Sequence, residues 1–190
     1  MIVDLDKKYV FVAIAKTACT SIHRRMGYDK DPVPEIYHMS MRDIKKSYEV
    51  ENFYKFAFVR NPYDRLVSAF YNFRFDRGHS KWAHPIYRFD TFRDFVLGFE
   101  NSPCINFIHL QTQFDFLETG GEVKMDFVGR YENLREDFKK VEKDLGLPHV
   151  NLPVTRVQDH PPYQGLYDEE TKRIVRRVYK DDFETFGYEQ

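Results

Sequence analysis

The sequence is short of several residue types on which whole classes of protein depend. Its 190 residues include only two cysteines, too few for a disulfide framework or a cysteine-rich metal site. No apolar run approaches the roughly 20 residues of a membrane-spanning helix, and Lys7-Lys8 interrupts any signal-like hydrophobic start. The formal net charge of −1 argues against nucleic-acid binding through bulk charge. We therefore expect a soluble, cytoplasmic protein without a membrane span or a nucleic-acid partner.

Glycine is also absent from the first 26 residues. A nucleotide triphosphatase P-loop needs the pattern G-x-x-x-x-G-K-[ST], in which the lysine comes near the end of the loop. Here Lys16 opens the loop instead, directly after an apolar run. The missing glycines argue against a triphosphate loop of that type in this part of the chain.

The apolar and aromatic content of the chain predicts one globular domain of α/β class. Hydrophobic residues make up 42% of the sequence and aromatic residues 17%, enough for a substantial core. Continuous apolar runs at Val10–Ile14 and Phe56–Val59 are typical of central parallel strands that are covered on both faces, and Val123–Val128 is read as a third strand. Helix starts alternate with these strands, near Thr20, Ser40, Pro62, Thr91, Asn133 and Asp168. This alternation predicts a central parallel sheet flanked by helices.

Two strand-to-helix turns carry the residues that are best suited to bind a ligand or take part in a reaction. The first runs from Lys16 to Ser21 and combines a lysine, hydroxyl groups and the start of a helix, all of which attract phosphate. The second begins with Arg60 at the end of a core strand, where ligands of open α/β sheets gather. Ser68 follows inside the next helix, and the two side chains could hold one phosphate from two sides. Together the turns predict a site for a nucleotide with two phosphorylated positions.

At these residues the chain resembles a known family of enzymes. Lys16-Thr17-Ala18-Cys19-Thr20-Ser21 resembles the 5′-phosphosulfate loop of sulfotransferases, although many relatives have glycine or another small residue where this chain has Ala18-Cys19. Arg60 to Phe70 resembles their 3′-phosphate motif. The segments Phe127–Leu134 and Tyr179–Tyr188 are typical of the Golgi carbohydrate (family 2) sulfotransferases, the uronosyl 2-O-sulfotransferases and their soluble bacterial relatives. The resemblance covers nearly the whole chain.

The resemblance implies a donor, an acceptor class and a fold. The donor would be 3′-phosphoadenosine-5′-phosphosulfate, used without a metal ion, and the acceptor a hydroxyl group, most simply of a carbohydrate. The fold would be a P-loop-like three-layer arrangement in a single sulfotransferase domain over residues 1–190. An acceptor-side loop or lid would occupy about residues 74–112.

The resemblance also assigns roles to individual residues. Lys16 would be catalytic, because it can stabilise charge that develops on the leaving phosphate. The donor-binding residues would be Lys16, Thr17, Ala18, Cys19, Thr20 and Ser21 in the loop, Arg60 and Ser68 at the 3′-phosphate, and Thr155 and Arg156 in a later loop that closes over it.

The acceptor hydroxyl must lose a proton, so the reaction needs a general base. His38 is the first candidate, because 2-O-sulfotransferases place a catalytic histidine in a similar His-x-Ser context and because histidine titrates near neutral pH. Glu35 is the alternative, since other branches of the family use a glutamate. A histidine in this position could instead serve only to pack against or cap the following helix.

Two other functions remain open from the sequence. One is a small-molecule P-loop kinase, which the absent Walker pattern disfavours. The other is a protein that binds or senses the nucleotide without catalysis, which the lysine and the candidate base disfavour.

Overall fold

The structure is a computed structural model of the chain, and it describes residues 1–28, 38–75, 85–153 and 160–190. The chain forms two compact units. The first comprises Met1–Arg60 and Gln113–Arg156, and the second comprises Asn61–Thr112 and Val157–Gln190. The central sheet belongs to the first unit.

The first unit contains a four-stranded, mostly parallel sheet in the order β1-β2-β3-β6. Its elements are β1 (Ile2–Asp4), β2 (Tyr9–Val12), α1 (Cys19–Arg25), α2 (Met41–Ser47), β3 (Tyr54–Val59), α5 (Gln113–Leu117), β4 (Glu118–Thr119), β5 (Glu122–Val123), β6 (Phe127–Arg130) and α6 (Leu134–Asp144). Strands β2, β3 and β6 run parallel. Strand β1 runs antiparallel to β2, because the short turn between them leaves no room for the crossover that parallel pairing needs. The predicted α/β class with a sheet flanked by helices is confirmed.

Aromatic side chains fill the core on one face of this sheet. Phe11 and Phe56 stack with ring centroids 5.1 Å apart, and Phe58 packs on Phe138 of α6 at 6.1 Å. Helix α1 adds Ile22 to the same cluster. Because burying each such side chain stabilises the fold by about 1.5–3 kcal/mol, these residues hold α1 and α6 firmly against the sheet.

A close contact between β3 and β6 explains why the chain has a glycine at position 129. Gly129 pairs with Phe58 across the β3–β6 ladder. A Cβ at this position would come within 2.4 Å of the Phe58 ring. Any larger residue would therefore have to displace the buried Phe58 ring.

The prediction of one strand over Val123–Val128 is wrong. Gly120 and Gly121 both have positive φ, at 70° and 83°, and they form the two-residue turn of a small β4–β5 hairpin that includes Val123. The third parallel strand starts only at Phe127. Just before it, Asp126 exchanges hydrogen bonds with the backbone of Lys55, which sets the register of β6.

The second unit is built from helices and aromatic contacts. Its elements are α3 (Pro62–Phe75), α4 (Phe92–Gly98), α7 (Glu169–Val178), α8 (Lys180–Phe186) and 3₁₀ turns at Pro85–Arg88, Phe99–Asn101, Pro103–Asn106 and Tyr163–Gly165. Pro62 begins α3, Thr91 caps α4 and Asp168 caps α7, as predicted. Phe70 stacks on Phe95 at 5.3 Å, which joins α3 to α4.

Part of the predicted acceptor-side segment, residues 74–112, can be placed in this second unit. It includes α4 and three of the 3₁₀ turns, while residues 76–84 lie outside the described part of the chain. Its role as a loop or lid stays a prediction. Within the described ranges, no helix is long and apolar enough to cross a membrane.

Candidate functional site

The loop after β2 has an unusual backbone where the sequence predicts phosphate binding. Lys16 and Ala18 both have positive φ, at 70° and 67°, a conformation that costs a non-glycine residue about 1–3 kcal/mol. Two such residues within three positions persist only because the surrounding structure holds them. A backbone that is left-handed at alternate residues turns its N–H groups towards a common concave side, a recurring anion-binding arrangement.

Side chains of the loop alternate between the interior and the surface. Thr17 and Cys19 are buried, whereas Lys16, Ala18 and Thr20 are partly exposed. The Thr17 hydroxyl and the Cys19 thiol both donate to the Ile14 carbonyl, at 2.8 and 2.7 Å. These two side chains fasten the loop to the end of β2, so Thr17 and Cys19 can offer a ligand their backbone N–H groups rather than their side chains.

The environment of Cys19 also determines the reactivity of its thiol. Burial raises the pKa of the Cys19 thiol, so the group stays protonated near neutral pH. A buried, protonated thiol is a poor nucleophile. Cys19 therefore acts as a structural part of the loop.

Helix α1 begins without a capping side chain. Its N-cap residue is Ala18, which makes no side-chain cap hydrogen bond, and the first turn holds no acidic residue. In contrast, Ser40 caps α2 and Thr91 caps α4 through their side chains. A helix start without its own anionic or hydroxyl cap favours an external anion, and Lys16 precedes it by two residues.

Arg60 lies at the carboxyl end of β3 and contacts the same loop. Its Nη1 donates to the Lys16 carbonyl at 3.1 Å. Its Cζ lies 4.1 Å from the ring centroid of Tyr131, which follows β6. The guanidinium is thus held on one face by an aromatic ring and at one edge by the loop. This contact joins the two turns that the sequence predicts to form one site.

Gln113 holds the backbone of Arg60. The Arg60 N–H donates to Gln113 Oε1, and Gln113 Nε2 donates to the Arg60 carbonyl, both at 2.8 Å. The Gln113 side chain is fully buried. Sequence reasoning missed this role, because a glutamine near a helix start gives no sign of burial.

Tyr131 was missed as well, although a signal for it exists. It follows the third parallel strand directly, as Arg60 follows the second. Residues at the carboxyl ends of neighbouring parallel strands meet at one edge of the sheet.

His38 lies just before α2 and contacts the backbone that leads from β2 into the loop. Its Nδ1 lies 2.6 Å from the Ala13 carbonyl. Because a carbonyl can only accept, Nδ1 carries the hydrogen, and the neutral ring then has its proton-accepting lone pair on Nε2. Two residues later, Ser40 accepts a hydrogen bond from the Asp43 N–H at 3.2 Å, which fixes where α2 begins. The structure therefore places His38 beside the segment that carries Lys16.

The structure says less about the remaining predicted site residues. Ser68 is buried in α3 and belongs to the second unit. Glu35, Thr155 and Arg156 lie outside the described residues. Their roles stay predictions. Over the described ranges, no group of three or more His, Cys, Asp or Glu side chains could hold a metal ion.

The cations and hydrogen-bond donors of the site suit a phosphate or sulfate group. Lys16 and Arg60 supply cations, the start of α1 supplies backbone N–H groups, and the first turn of α1 contains no carboxylate. Cationic side chains and backbone N–H groups are the usual ligands of phosphate. The residues present thus fit the anionic phosphate and phosphosulfate groups of the implied donor.

Comparison with known proteins identifies the family. The sequence profile of the sulfotransferase family matches residues 1–189, so the chain belongs to the sulfotransferase family. No solved structure gives a significant match.

Individual relatives are carbohydrate sulfotransferases at modest identity. Carbohydrate sulfotransferase 10 of Xenopus laevis is 26% identical over 196 residues, covering 86% of this chain and 54% of the relative. The Homo sapiens protein of that name is 28% identical over 200 residues, with the same two coverages of 86% and 54%. Carbohydrate sulfotransferase 11 of Rattus norvegicus is 24% identical over 239 residues, covering 99% of this chain and 66% of the relative. The chain thus spans about half the length of the first two relatives.

Proposed function

We propose that the protein transfers a sulfuryl group from 3′-phosphoadenosine-5′-phosphosulfate to a hydroxyl group of a carbohydrate. The observation that carries the proposal is the hydrogen bond from Arg60 Nη1 to the Lys16 carbonyl. It links the residue predicted for the 3′-phosphate with the loop predicted for the phosphosulfate. Family membership supports the reaction class, and the names of the relatives support a carbohydrate acceptor.

The residues of the loop would bind and stabilise the donor. The backbone N–H groups at Ala18 and beyond, with the Thr20 hydroxyl, would hold the 5′-phosphate. Lys16 would neutralise charge on the oxygen that leaves sulfur, and Arg60 would hold the 3′-phosphate. Ser68, Thr155 and Arg156 remain predicted ligands of that 3′-phosphate. Such transfers depend on positioning and charge stabilisation more than on covalent help from the protein.

His38 would act as the general base. The acceptor oxygen forms a bond to sulfur while its proton passes to His38 Nε2. The bond from sulfur to the 5′-phosphate oxygen breaks, and its electron pair leaves with that oxygen. The hydrogen bond to Ala13 supports this role, because it sets the tautomer that accepts a proton at Nε2.

We infer a P-loop-like three-layer arrangement in a single sulfotransferase domain over residues 1–190. We also infer a cytoplasmic location, because Cys19 and Cys104 are both free thiols, as is usual in a reducing compartment.

Transfer with labelled donor to a panel of hydroxylated acceptors tests the function. We expect label to appear in at least one saccharide, with one desulfated nucleotide released for each sulfate transferred. A protein that only binds or senses the nucleotide would retain the donor without acceptor-dependent release. If no saccharide is labelled while the protein binds the donor, the sensing function takes the place of this proposal.

A further inference from the structure

Arg60 directly follows the last residue of β3, where the backbone pairing between β3 and β6 ends. The ladder between β3 and β6 ends with the pair Val59 and Arg130, and α3 begins at Pro62. The N–H and the carbonyl of Arg60 therefore lie beyond the paired part of the strand. Buried backbone groups of this kind need partners, and Arg60 is itself buried.

The side-chain amide of Gln113 supplies both partners. It accepts from the Arg60 N–H and donates to the Arg60 carbonyl, each at 2.8 Å. One residue of an antiparallel neighbouring strand would make the same pair of bonds. Gln113 thus extends the backbone hydrogen bonding of β3 by one residue, to Arg60.

We propose that Gln113 is a positioning residue that sets Arg60 for the 3′-phosphate of the donor; this inference rests on the proposed function. Gln113 fixes the backbone of Arg60, Tyr131 supports one face of the guanidinium at 4.1 Å, and the Lys16 carbonyl orients Nη1 at 3.1 Å. Three contacts to three parts of one residue leave it little freedom. Selectivity for a 3′-phosphate depends on this rigidity, because a displaced arginine loses its charge-assisted hydrogen bonds.

The test compares two nucleotides that differ only in the 3′-phosphate. The measured quantity is the ratio of the Kd values for adenosine 5′-phosphate and 3′-phosphoadenosine 5′-phosphate. Gln113→Met keeps the length of the side chain and removes both hydrogen bonds. We expect it to lower this ratio roughly tenfold, the effect of losing about one charge-assisted hydrogen bond. Gln113→Asn, whose amide is too short to reach both groups, should lower the ratio less and provides a milder variant if Gln113→Met does not fold.

Two controls separate positioning from a general loss of stability. Val141→Ala removes buried methyl groups from the core of α6 and should lower the unfolding midpoint while leaving the ratio unchanged. In an Arg60→Ala background, Gln113→Met should change the ratio no further, because its effect passes through Arg60.

The outcomes distinguish this inference from the proposed function. If the wild-type protein does not prefer the bisphosphate, the proposed function fails and this inference with it. If the wild-type protein prefers the bisphosphate and the folded Gln113 variants keep the full preference, Gln113 is only structural and this inference alone is overturned.

Discussion

At the scale of single residues, the site depends on which side chains of one loop face inward. Thr17 and Cys19 hold the loop to the Ile14 carbonyl, while Lys16 and Thr20 remain partly exposed. The inward side chains provide the contacts that hold Lys16 and Ala18 at positive φ. The sequence alone does not distinguish their roles, and only the structure separates the residues that hold the loop from those that can contact a ligand.

Lys16 and Arg60 should differ in the step they affect. Arg60→Ala should weaken donor binding by about 2–4 kcal/mol with little change in the rate at saturating donor, because the 3′-phosphate does not change during the reaction. Lys16→Ala should slow transfer by a similar free energy, because the leaving oxygen gains charge only as the reaction proceeds. Binding and single-turnover measurements give the two quantities. Arg24→Ala, an exposed residue on α1, is the matched control, and an unchanged rate in Lys16→Ala would refute the role of Lys16.

His38 should affect the rate rather than the stability. His38→Ala should lower turnover of the folded, donor-bound protein by roughly 10²–10⁴-fold, and wild-type activity should fall in acid as the ring gains a proton. Ser40→Ala is the control for a purely structural role, since it removes the cap of α2 at a cost of about 1 kcal/mol in stability. It should keep normal turnover. Near-normal turnover in His38→Ala, together with a large loss in Glu35→Gln, would move the base to Glu35.

At the scale of elements, α1 and α6 are joined by one buried carboxylate. Glu142 of α6 accepts hydrogen bonds from Arg25 Nη2 at 2.6 Å, His149 Nδ1 at 2.7 Å and the Val150 N–H at 3.2 Å. Arg25 ends α1, the helix that follows the candidate phosphate loop. The contact therefore anchors the far end of that helix, together with the segment after α6.

Glu142 should make stability depend on pH. Burial acts to raise the pKa of Glu142, but hydrogen bonds from His149, the Val150 N–H and Arg25 outweigh it, so this pKa is lowered. A lowered pKa in the folded state adds stability above the unfolded value of about 4.3, and the gain is lost as pH falls through the folded value.

Glu142→Gln should therefore cost about 3 kcal/mol near pH 7. The difference in unfolding free energy from the wild-type protein should shrink as pH falls below about 4.3. Denaturant unfolding at several pH values measures it. Glu136→Gln, which breaks an exposed pair with Lys139 on the same helix, should cost less than about 1 kcal/mol. A Glu142→Gln cost that stays constant from neutral to acid pH would contradict this interpretation.

At the scale of the whole molecule, the sequence predicts those elements that local residue patterns determine. Continuous apolar runs locate β2 and β3, and residues such as Pro62 and Asp168 mark helix starts because their preferences are local. The start of β6 was misplaced because Gly120-Gly121 turns the chain back before it. Gln113 could not be assigned a role, because its burial is set by backbone groups 53 residues earlier.

The central claim is that the Lys16 loop and Arg60 form a metal-independent site for a nucleotide that carries phosphate on both the 3′ and 5′ positions. The most direct measurement is calorimetric titration of the wild-type protein with 3′-phosphoadenosine 5′-phosphate, with and without a chelator, beside ATP with Mg²⁺. We expect the bisphosphate to bind with the same affinity in both conditions and more tightly than ATP–Mg²⁺. Tighter binding of ATP–Mg²⁺, or loss of bisphosphate binding on chelation, would contradict the account and favour a kinase.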